Sequence, residues 1–215
     1  RVDITDHIGA MSLLAIKGKR VSKVHQMKER MVAISRLSIS DYWCDAMLDS
    51  AYMLMEDVYR PQIHDIQLRT EMVRTGLIDA AILPEPYSQW MEFAGNNIIY
   101  TSPKHGPHLA ACLVKAASTL DTRRREQVRL MAEAYDIAAK QMNEPRHRSR
   151  IRHILQAQYR IAPEAVDSIK IVCPAGAELP DSTALKEAVK FLQARERMPE
   201  HVETDSLIWN TFVRK

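Results

Sequence analysis

Apolar positions in the first hundred residues alternate between short continuous runs and stretches with three- and four-residue spacing. Residues 31–34 form an apolar run typical of strands that are buried on both faces of a parallel sheet. Residues 39–55 carry apolar side chains at helical spacing, and Ser38 or Ser40 is the predicted N-cap. A polar loop joins the two segments. This order of strand, short loop and helix predicts half of a βαβ unit.

The same alternation is repeated further along the chain. Residues 69–75 predict a second helix, Gly76 is a candidate C′ residue, and residues 79–83 predict a buried strand closed by Pro84. The pattern therefore predicts a parallel or mixed α/β sheet, with ligands at the carboxyl ends of its strands. The other predicted elements are a strand at 2–5, a helix-like segment at 10–16, a strand at 98–100, a helix or strand at 108–119, and helices at 122–142, 146–159 and 181–197.

Composition narrows the function classes. The 215 residues include 30 Lys plus Arg and 27 Asp plus Glu, and this net charge of +3 is too small to require a nucleic-acid partner. No uncharged apolar run is long enough for a helical membrane span. Cys44, Cys112 and Cys173 lack zinc-type spacing, and His105 and His108 lie near no further ligand type, so neither a metal nor another cofactor is predicted. The sequence contains no phosphate-binding glycine loop, GxSxG or HExxH motif.

Two segments taken together resemble a known family. Residues 32–42 read VAISRLSISDY, and residues 69–86 follow the pattern R-x-x-M-x-x-x-G-x-I-D-A-A-x-L-P-E-P. Both resemble the second lobe of ABC-transporter substrate-binding proteins, in the type II group related to thiamine-precursor, sulfonate and nitrate binding proteins. Residues 179–185 are similar to the segment that ends these proteins.

The resemblance implies a two-lobe α/β fold of the periplasmic-binding-protein type II, in which each lobe is a mixed, mostly parallel sheet flanked by helices. Residues 1–30 are expected in the first lobe, residues 31–105 in the second, and residues 106–215 in a helical region that completes the second lobe and returns to the first. Relatives have further first-lobe elements and a longer approach to the strand at residue 31. We therefore expect residues to be missing before Arg1 and near Arg30.

The function implied by the resemblance is capture of a small polar or heteroaromatic ligand between two lobes, for delivery to ABC permease subunits without chemistry. The implied location is periplasmic or extracytoplasmic, with membrane contact through the permease or a lipid anchor. Basic clusters at residues 123–125 and 146–152 predict solvated helix faces, or contacts with a membrane or a transporter subunit.

The loop after the strand at residue 31 supplies the first candidate ligand contacts, namely Ser35, Ser38, Ser40 and Asp41. Free backbone N–H groups and the positive end of the helix dipole favour an anionic or strongly polar ligand group there, and serine hydroxyls add donors. The alternative is that Ser38 or Ser40 only caps the helix.

Further candidates lie at two other predicted strand ends. Glu85, between two prolines, either contacts ligand or fixes the crossover by hydrogen bonding. Tyr87 either stacks on a ligand or packs within the lobe. Asp6 and His7 follow the first predicted strand and are expected on the opposite wall of the site, unless His7 is structural or simply exposed.

Two other function classes remain open, because a fold does not determine a function. One is an enzyme on the same fold, as in the menaquinone-pathway enzymes and yeast-type pyrimidine synthases that resemble these proteins. The other is the ligand-sensing domain of a transcription regulator, which would require a helix-turn-helix upstream.

Overall fold

A computed structural model describes residues 11–19, 21–102, 122–171 and 182–208. These residues fall into two compact units. One unit contains the described residues up to 102 together with residues 149–171, and the other contains residues 122–148 and 182–208. Which unit corresponds to which lobe stays a prediction.

The first unit is built on a four-stranded mixed sheet. Its strands are β1 (Met11–Ala15), β2 (Val32–Ala33), β3 (Ala80–Pro84) and β4 (Asn97–Thr101), in the order β2-β3-β1-β4. β2 runs parallel to β3, whereas β1 is antiparallel to both β3 and β4. Parallel bridges at Met31–Tyr59 and Ile34–Gln62 add residues 59–62 to the β2 edge. The carboxyl ends of β2, β3 and residues 59–62 therefore share one edge of the sheet.

Six α-helices are described: α1 (Ile39–Ser50), α2 (Ile66–Arg74), α3 (Tyr87–Phe93), α4 (Thr122–Met142), α5 (Arg148–Ala157) and α6 (Ser182–Gln193). Short 3-10 turns cover Val24–Met27, Met55–Asp57, Pro145–His147 and Thr204–Leu207. Among the described residues, no helix has the length and apolar character needed to cross a membrane.

Both faces of the sheet are covered, which is why its strands are nearly continuous apolar runs. Leu14, Ala81 and Leu83 point into a cluster with residues of α2, α3 and α5. On the other face, Leu13 and Val32 lie against residues of α1 and the Val24–Met27 turn. The sequence predictions for β2, β3, β4, α2 and α4 are confirmed, and Gly76, at a φ of +79°, follows the α2 C-cap as expected.

The predicted helix at residues 10–16 is wrong in the described part, since Met11–Ala15 is the strand β1. All five of its residues are buried and both of its edges are hydrogen-bonded, to β3 and to β4. An apolar run of this length fits a buried strand as well as a helix, and only pairing with residues about 65–90 positions away decides the outcome. β1 lies in residues 1–30, which were predicted for the first lobe. Its partners β3 and β4 lie in residues 31–105, which were predicted for the second lobe.

The predicted helix at residues 39–55 is too long, because α1 ends at Ser50. Tyr52 has a φ of +55°, in the left-handed region that terminates a right-handed helix. The predicted elements at 2–5 and 108–119 lie outside the described residues.

The second unit is helical in its described residues. α4 carries Met131 and Tyr135 on the predicted apolar face, and both side chains are exposed. α6 packs against the Thr204–Leu207 turn, and the Arg195 guanidinium lies 3.7 Å from the centre of the Phe191 ring.

Candidate functional site

The candidate site lies in the β2–α1 junction, which we define as residues 35–41. β2 ends at Ala33, and α1 begins at Ile39 with Ser38 as its N-cap, so one of the two predicted caps is confirmed. Leu37 adopts a φ of +56° in the turn between them. The junction therefore lies at a strand end, where a parallel sheet offers its ligand site.

Ser38 and Ser40 are held within a closed network of hydrogen bonds. The Ser38 hydroxyl donates to the Ser35 carbonyl at 2.7 Å and accepts from the Ser40 backbone N–H at 3.2 Å. The Ser40 hydroxyl accepts from the Ser35 backbone N–H at 2.9 Å and lies 2.9 Å from the Ser38 hydroxyl. A hydroxyl has one proton to donate, so both serines have used theirs within the junction.

Arg69, on α2, lies beneath this network. Its side chain is 2% exposed, and its Nη1 donates to the Ser40 hydroxyl at 3.1 Å. Its Nε is buried without a hydrogen-bond partner, and Arg69 forms no ion pair within the described part of the chain. Burial lowers the pKa of the guanidinium to about 10, while Asp65 opposes the shift, so Arg69 carries its charge at neutral pH.

Asp41 does not offer a free carboxylate to a ligand. Its Oδ2 accepts the Leu37 backbone N–H at 2.9 Å, and its Oδ1 lies 3.5 Å from Nη1 of Arg60. Arg60 also donates to Asp45 at 2.9 Å. The acidic side chain predicted for this site therefore fixes the turn and is paired with a cation.

Several backbone donors of the junction remain open. Within the described residues, the N–H groups of Arg36, Ser38 and Ile39 have no hydrogen-bond acceptor. The first N–H groups of a helix have no acceptor inside the helix, and they point outward together with the positive end of its dipole. The junction therefore keeps three backbone donors available to acceptor groups.

His64 contacts the β2–α1 junction and is itself contacted by Gln62, and neither residue was predicted from the sequence. The Ser35 hydroxyl lies 2.7 Å from Nδ1 of His64, and the Gln62 amide nitrogen contacts Nε2 of the same ring. Residues 59–62 read poorly as a strand because Pro61 interrupts them. The alternation of Gln62 and His64 around Ile63 is the one strand-like signal in this stretch of the sequence.

The β3–α3 junction, defined as residues 84–89, lies at the same sheet edge but is arranged differently. The Glu85 carboxylate accepts the Gln89 backbone N–H at 3.3 Å, in the first turn of α3. The Gln89 side chain forms two hydrogen bonds with the Lys170 backbone, at 3.2 and 2.8 Å. The Glu85 bond is local to the start of α3, and both predicted roles of Glu85, ligand contact and fixing of the crossover, stay predictions.

Tyr87 belongs to the apolar core. The ring is 5% exposed and lies 6.0 Å from the ring of Tyr159, measured between centroids. Burial raises the pKa of its hydroxyl above the usual value. Packing was one of its two predicted roles, and stacking on a ligand stays a prediction.

The remaining candidates carry less information. Asp6 and His7 lie outside the described residues. Within the described residues no group of three or more His, Cys, Asp or Glu side chains is placed to hold a metal ion. Cys44 is buried, and burial raises the pKa of its thiol to about 12, which leaves it protonated and unreactive at neutral pH.

No protein-family model matches the sequence, and no curated relative matches it closely enough to assign a family. Solved structures do match. The periplasmic aliphatic sulphonate binding protein SsuA from Escherichia coli is similar with a TM-score of 0.71 at 14% identity, over 94% of this chain and 70% of that one. The alkanesulfonate-binding protein SsuA from Xanthomonas axonopodis pv. citri, bound to MOPS, has a TM-score of 0.65 at 15% identity, over 93% and 69%.

An enzyme is also among the similar structures. The desulfurization enzyme DSZB has a TM-score of 0.58 at 11% identity, over 95% of this chain and 75% of that one. These likenesses show that the chain has the mixed α/β, periplasmic-binding-protein-like fold of its neighbours, as the sequence predicted.

Proposed function

We propose that this chain is part of an extracytoplasmic solute-binding protein, which holds a small ligand for an ABC importer. Its fold is that of sulfonate-binding proteins, and the candidate site occupies a strand end where ligands bind in α/β folds. Periplasmic location, hand-over to permease subunits and any lipid anchor belong to this proposal.

The observation that carries the proposal is the surplus of donors at the β2–α1 junction. The open N–H groups of Arg36, Ser38 and Ile39 lie at the amino end of α1, and the buried cation of Arg69 has no ion-pair partner in the described part of the chain. A buried charge without a counter-charge is unfavourable, and an anion bound nearby relieves it. The junction therefore fits an anionic or strongly polar ligand group.

The ligand class follows from this chemistry. A group with several acceptor oxygens, such as a sulfonate or a carboxylate, satisfies several of the open N–H groups at once. Proteins of the same fold are named as sulfonate binders, which places small sulfonates first in the search. Of the other predicted residues, Asp6 and His7 are proposed to contact the polar or heteroaromatic remainder of the ligand, whereas Glu85 and Tyr87 are proposed to serve the β3–α3 junction.

A calorimetric screen tests the proposal. The protein is melted in the calorimeter with an excess of each small sulfonate, carboxylate, nitrate or thiamine precursor. A ligand at 100 times its Kd stabilises the native state by about 2.7 kcal/mol, which raises the melting temperature. Ser35→Ala is expected to lower the affinity for a confirmed ligand about tenfold, which corresponds to the loss of roughly one hydrogen bond to a charged group. Ser50→Ala is the matched control, since Ser50 lies at the opposite end of α1 and donates to the Met47 carbonyl. Equal losses in both variants, or none in either, would contradict the proposed site.

An enzyme is the second candidate, because DSZB shares the fold. The Ser35–His64 contact, at 2.7 Å, would suit a nucleophile beside a base in the tautomer whose Nδ1 carries no proton. Recovery of the bound compound unchanged after prolonged incubation supports binding alone. Conversion that stops in Ser35→Ala would favour the enzyme.

A further inference from the structure

His64 is exposed, lies two residues beyond the edge segment 59–62, and contacts one side chain with each of its ring nitrogens. The backbone N–H of Ile63 donates to the Ile34 carbonyl at 2.8 Å, so the segment stays in register with β2 up to the junction. Residues two apart along an extended segment lie on the same side, which brings the side chains of Gln62 and His64 together. Ser35, the next residue after Ile34, meets the ring from the other side.

The three side chains form a directed chain of hydrogen bonds. The Gln62 amide nitrogen, which only donates, faces Nε2 of His64, so Nε2 accepts. A neutral imidazole has one N–H, which must then be at Nδ1. That N–H donates to the Ser35 hydroxyl oxygen at 2.7 Å. The proton of the Ser35 hydroxyl is therefore turned away from His64.

Ser35 is consequently the one serine of the junction with a proton still to give. Its hydroxyl has His64 as its single hydrogen-bond partner among the described residues, whereas the hydroxyls of Ser38 and Ser40 are used within the network. The opposite tautomer would invert this arrangement. Ser35 would then donate to His64 and present only lone pairs to a ligand.

We infer that Gln62 and His64 fix Ser35 as a hydrogen-bond donor, and that the site thereby selects a ligand group that only accepts over one that presents N–H or O–H. This inference rests on the proposed function, and it names positioning residues for that site. The neighbouring groups agree with it, since the backbone N–H groups of the junction are donors and the Asp41 carboxylate is occupied. A ligand N–H could use only the second lone pair of the Ser35 oxygen and would otherwise face the open backbone N–H groups of the junction, so it is satisfied less well than an acceptor oxygen.

The first experiment reads the tautomer directly and needs no ligand. Long-range proton–nitrogen correlation spectra of the full chain, labelled at histidine, report which ring nitrogen of His64 is protonated, and His64→Gln assigns the signal. We expect the Nδ1–H form in the wild type. In Gln62→Glu, whose carboxylate can only accept, we expect a proton on Nε2. An Nε2–H ring in the neutral wild type would overturn the inference.

The second experiment measures selectivity with an isosteric pair, ethanesulfonate and ethanesulfonamide. We expect the wild type to prefer the sulfonate at least about tenfold, and Gln62→Glu to reduce that preference. The added negative charge also weakens anion binding by itself, so the comparison is repeated in Ser35→Ala, where only the charge effect remains. An equal effect of Gln62→Glu in both backgrounds would overturn the role of Ser35.

The two experiments separate the inference from the proposed function. If the wild type has the Nδ1–H tautomer but binds neither ethanesulfonate nor ethanesulfonamide, the proposed sulfonate-type ligand is contradicted. The inferred preference for acceptor groups is then contradicted as well. A wild type that binds ethanesulfonate but accepts ethanesulfonamide equally well leaves the binding function in place and overturns the inference.

Discussion

The β2–α1 and β3–α3 junctions occupy equivalent places at one edge of the sheet, yet they differ in the side chains that surround their open N–H groups. In the β3–α3 junction, Glu85 caps α3, Gln89 is bonded to the Lys170 backbone and Tyr87 is buried. Both junctions leave backbone N–H groups without acceptors in the described residues, and at the β3–α3 junction these belong to Tyr87 and Ser88, whose buried hydroxyl also has no partner. The β2–α1 junction adds the Ser35 hydroxyl, which contacts His64, and the buried cation of Arg69, which has no ion pair in the described part of the chain. Open N–H groups are therefore common to both strand ends, and the buried cation beside the serine hydroxyls distinguishes the β2–α1 junction, which polar composition alone does not reveal.

The largest effect is expected from Tyr87→Ala at the β3–α3 junction. Truncating a large buried aromatic side chain costs about 3–5 kcal/mol through lost contacts and the cavity left behind. Urea denaturation followed by circular dichroism measures the loss, and Tyr87→Phe, which keeps the ring, should retain most of the stability. Where each variant is still folded, its ligand affinity is expected to equal that of the wild type. A selective loss of affinity in Tyr87→Phe would show that the β3–α3 junction also binds ligand.

Ser40→Ala should affect the β2–α1 junction in both stability and binding. It leaves the Ser35 backbone N–H and Nη1 of Arg69 without their acceptor. Each stranded buried donor costs roughly 1–3 kcal/mol, so we expect a loss of about 2–3 kcal/mol in the free energy of unfolding. Denaturation midpoints compare it with Ser50→Ala, and equal effects in the two variants would remove the special role of Arg69.

Asp79→Asn perturbs the opposite end of the parallel strands and should leave ligand affinity unchanged. Although burial opposes the shift, hydrogen bonds from Lys19 and from the Met31 backbone N–H lower the pKa of Asp79. A lowered pKa stabilises the fold above the unfolded-state pKa, and this contribution is lost as the pH falls through the folded-state pKa. We expect a deficit of about 1.5–2 kcal/mol at neutral pH, typical of hydrogen bonds to a charged group.

The pH series supplies the control for Asp79→Asn. The difference from wild type should shrink as the pH falls below about 4, where the carboxyl of an unfolded chain becomes protonated. A deficit that stays constant between pH 7 and pH 3 would mean that the charge of Asp79 contributes nothing.

The smallest effect is expected from Glu85→Ala. Loss of the bond to the Gln89 backbone N–H should cost about 1 kcal/mol, as for other side chains that cap a first helical turn. Thermal denaturation measures this cost, with Glu92→Ala in the last turn of α3 as the control. A clear loss of ligand affinity in Glu85→Ala would instead confirm its predicted ligand contact and weaken the contrast between the junctions.

Much of the fold could be predicted because its elements are coded locally. β2, α1, β3 and α2 follow the switch between continuous apolar runs and helical spacing. β1 was misread because the identity of a five-residue apolar run depends on partners far along the chain. The edge segment 59–62 was missed because Pro61 and alternating polar residues conceal its pairing with β2.

The site was predictable only in part. Ser35, Ser38, Ser40 and Asp41 follow a recognisable strand end, whereas His64 and Arg69 reach it from 29 residues further along. Arg69 carried one usable signal, since it lies on the face of α2 that also presents Thr70 and Val73 to the interior. A charged residue at the centre of a buried helix face indicates a polar partner beneath the surface.

The central claim is that ligand affinity depends on the β2–α1 junction and not on the β3–α3 junction. Isothermal titration of the ligand found in the screen, performed side by side on Ser35→Ala and Glu85→Ala, tests it most directly. The account predicts affinity about tenfold weaker in Ser35→Ala at unchanged stability, and affinity within about twofold of wild type in Glu85→Ala. Wild-type affinity in Ser35→Ala combined with weakened binding in Glu85→Ala would contradict it.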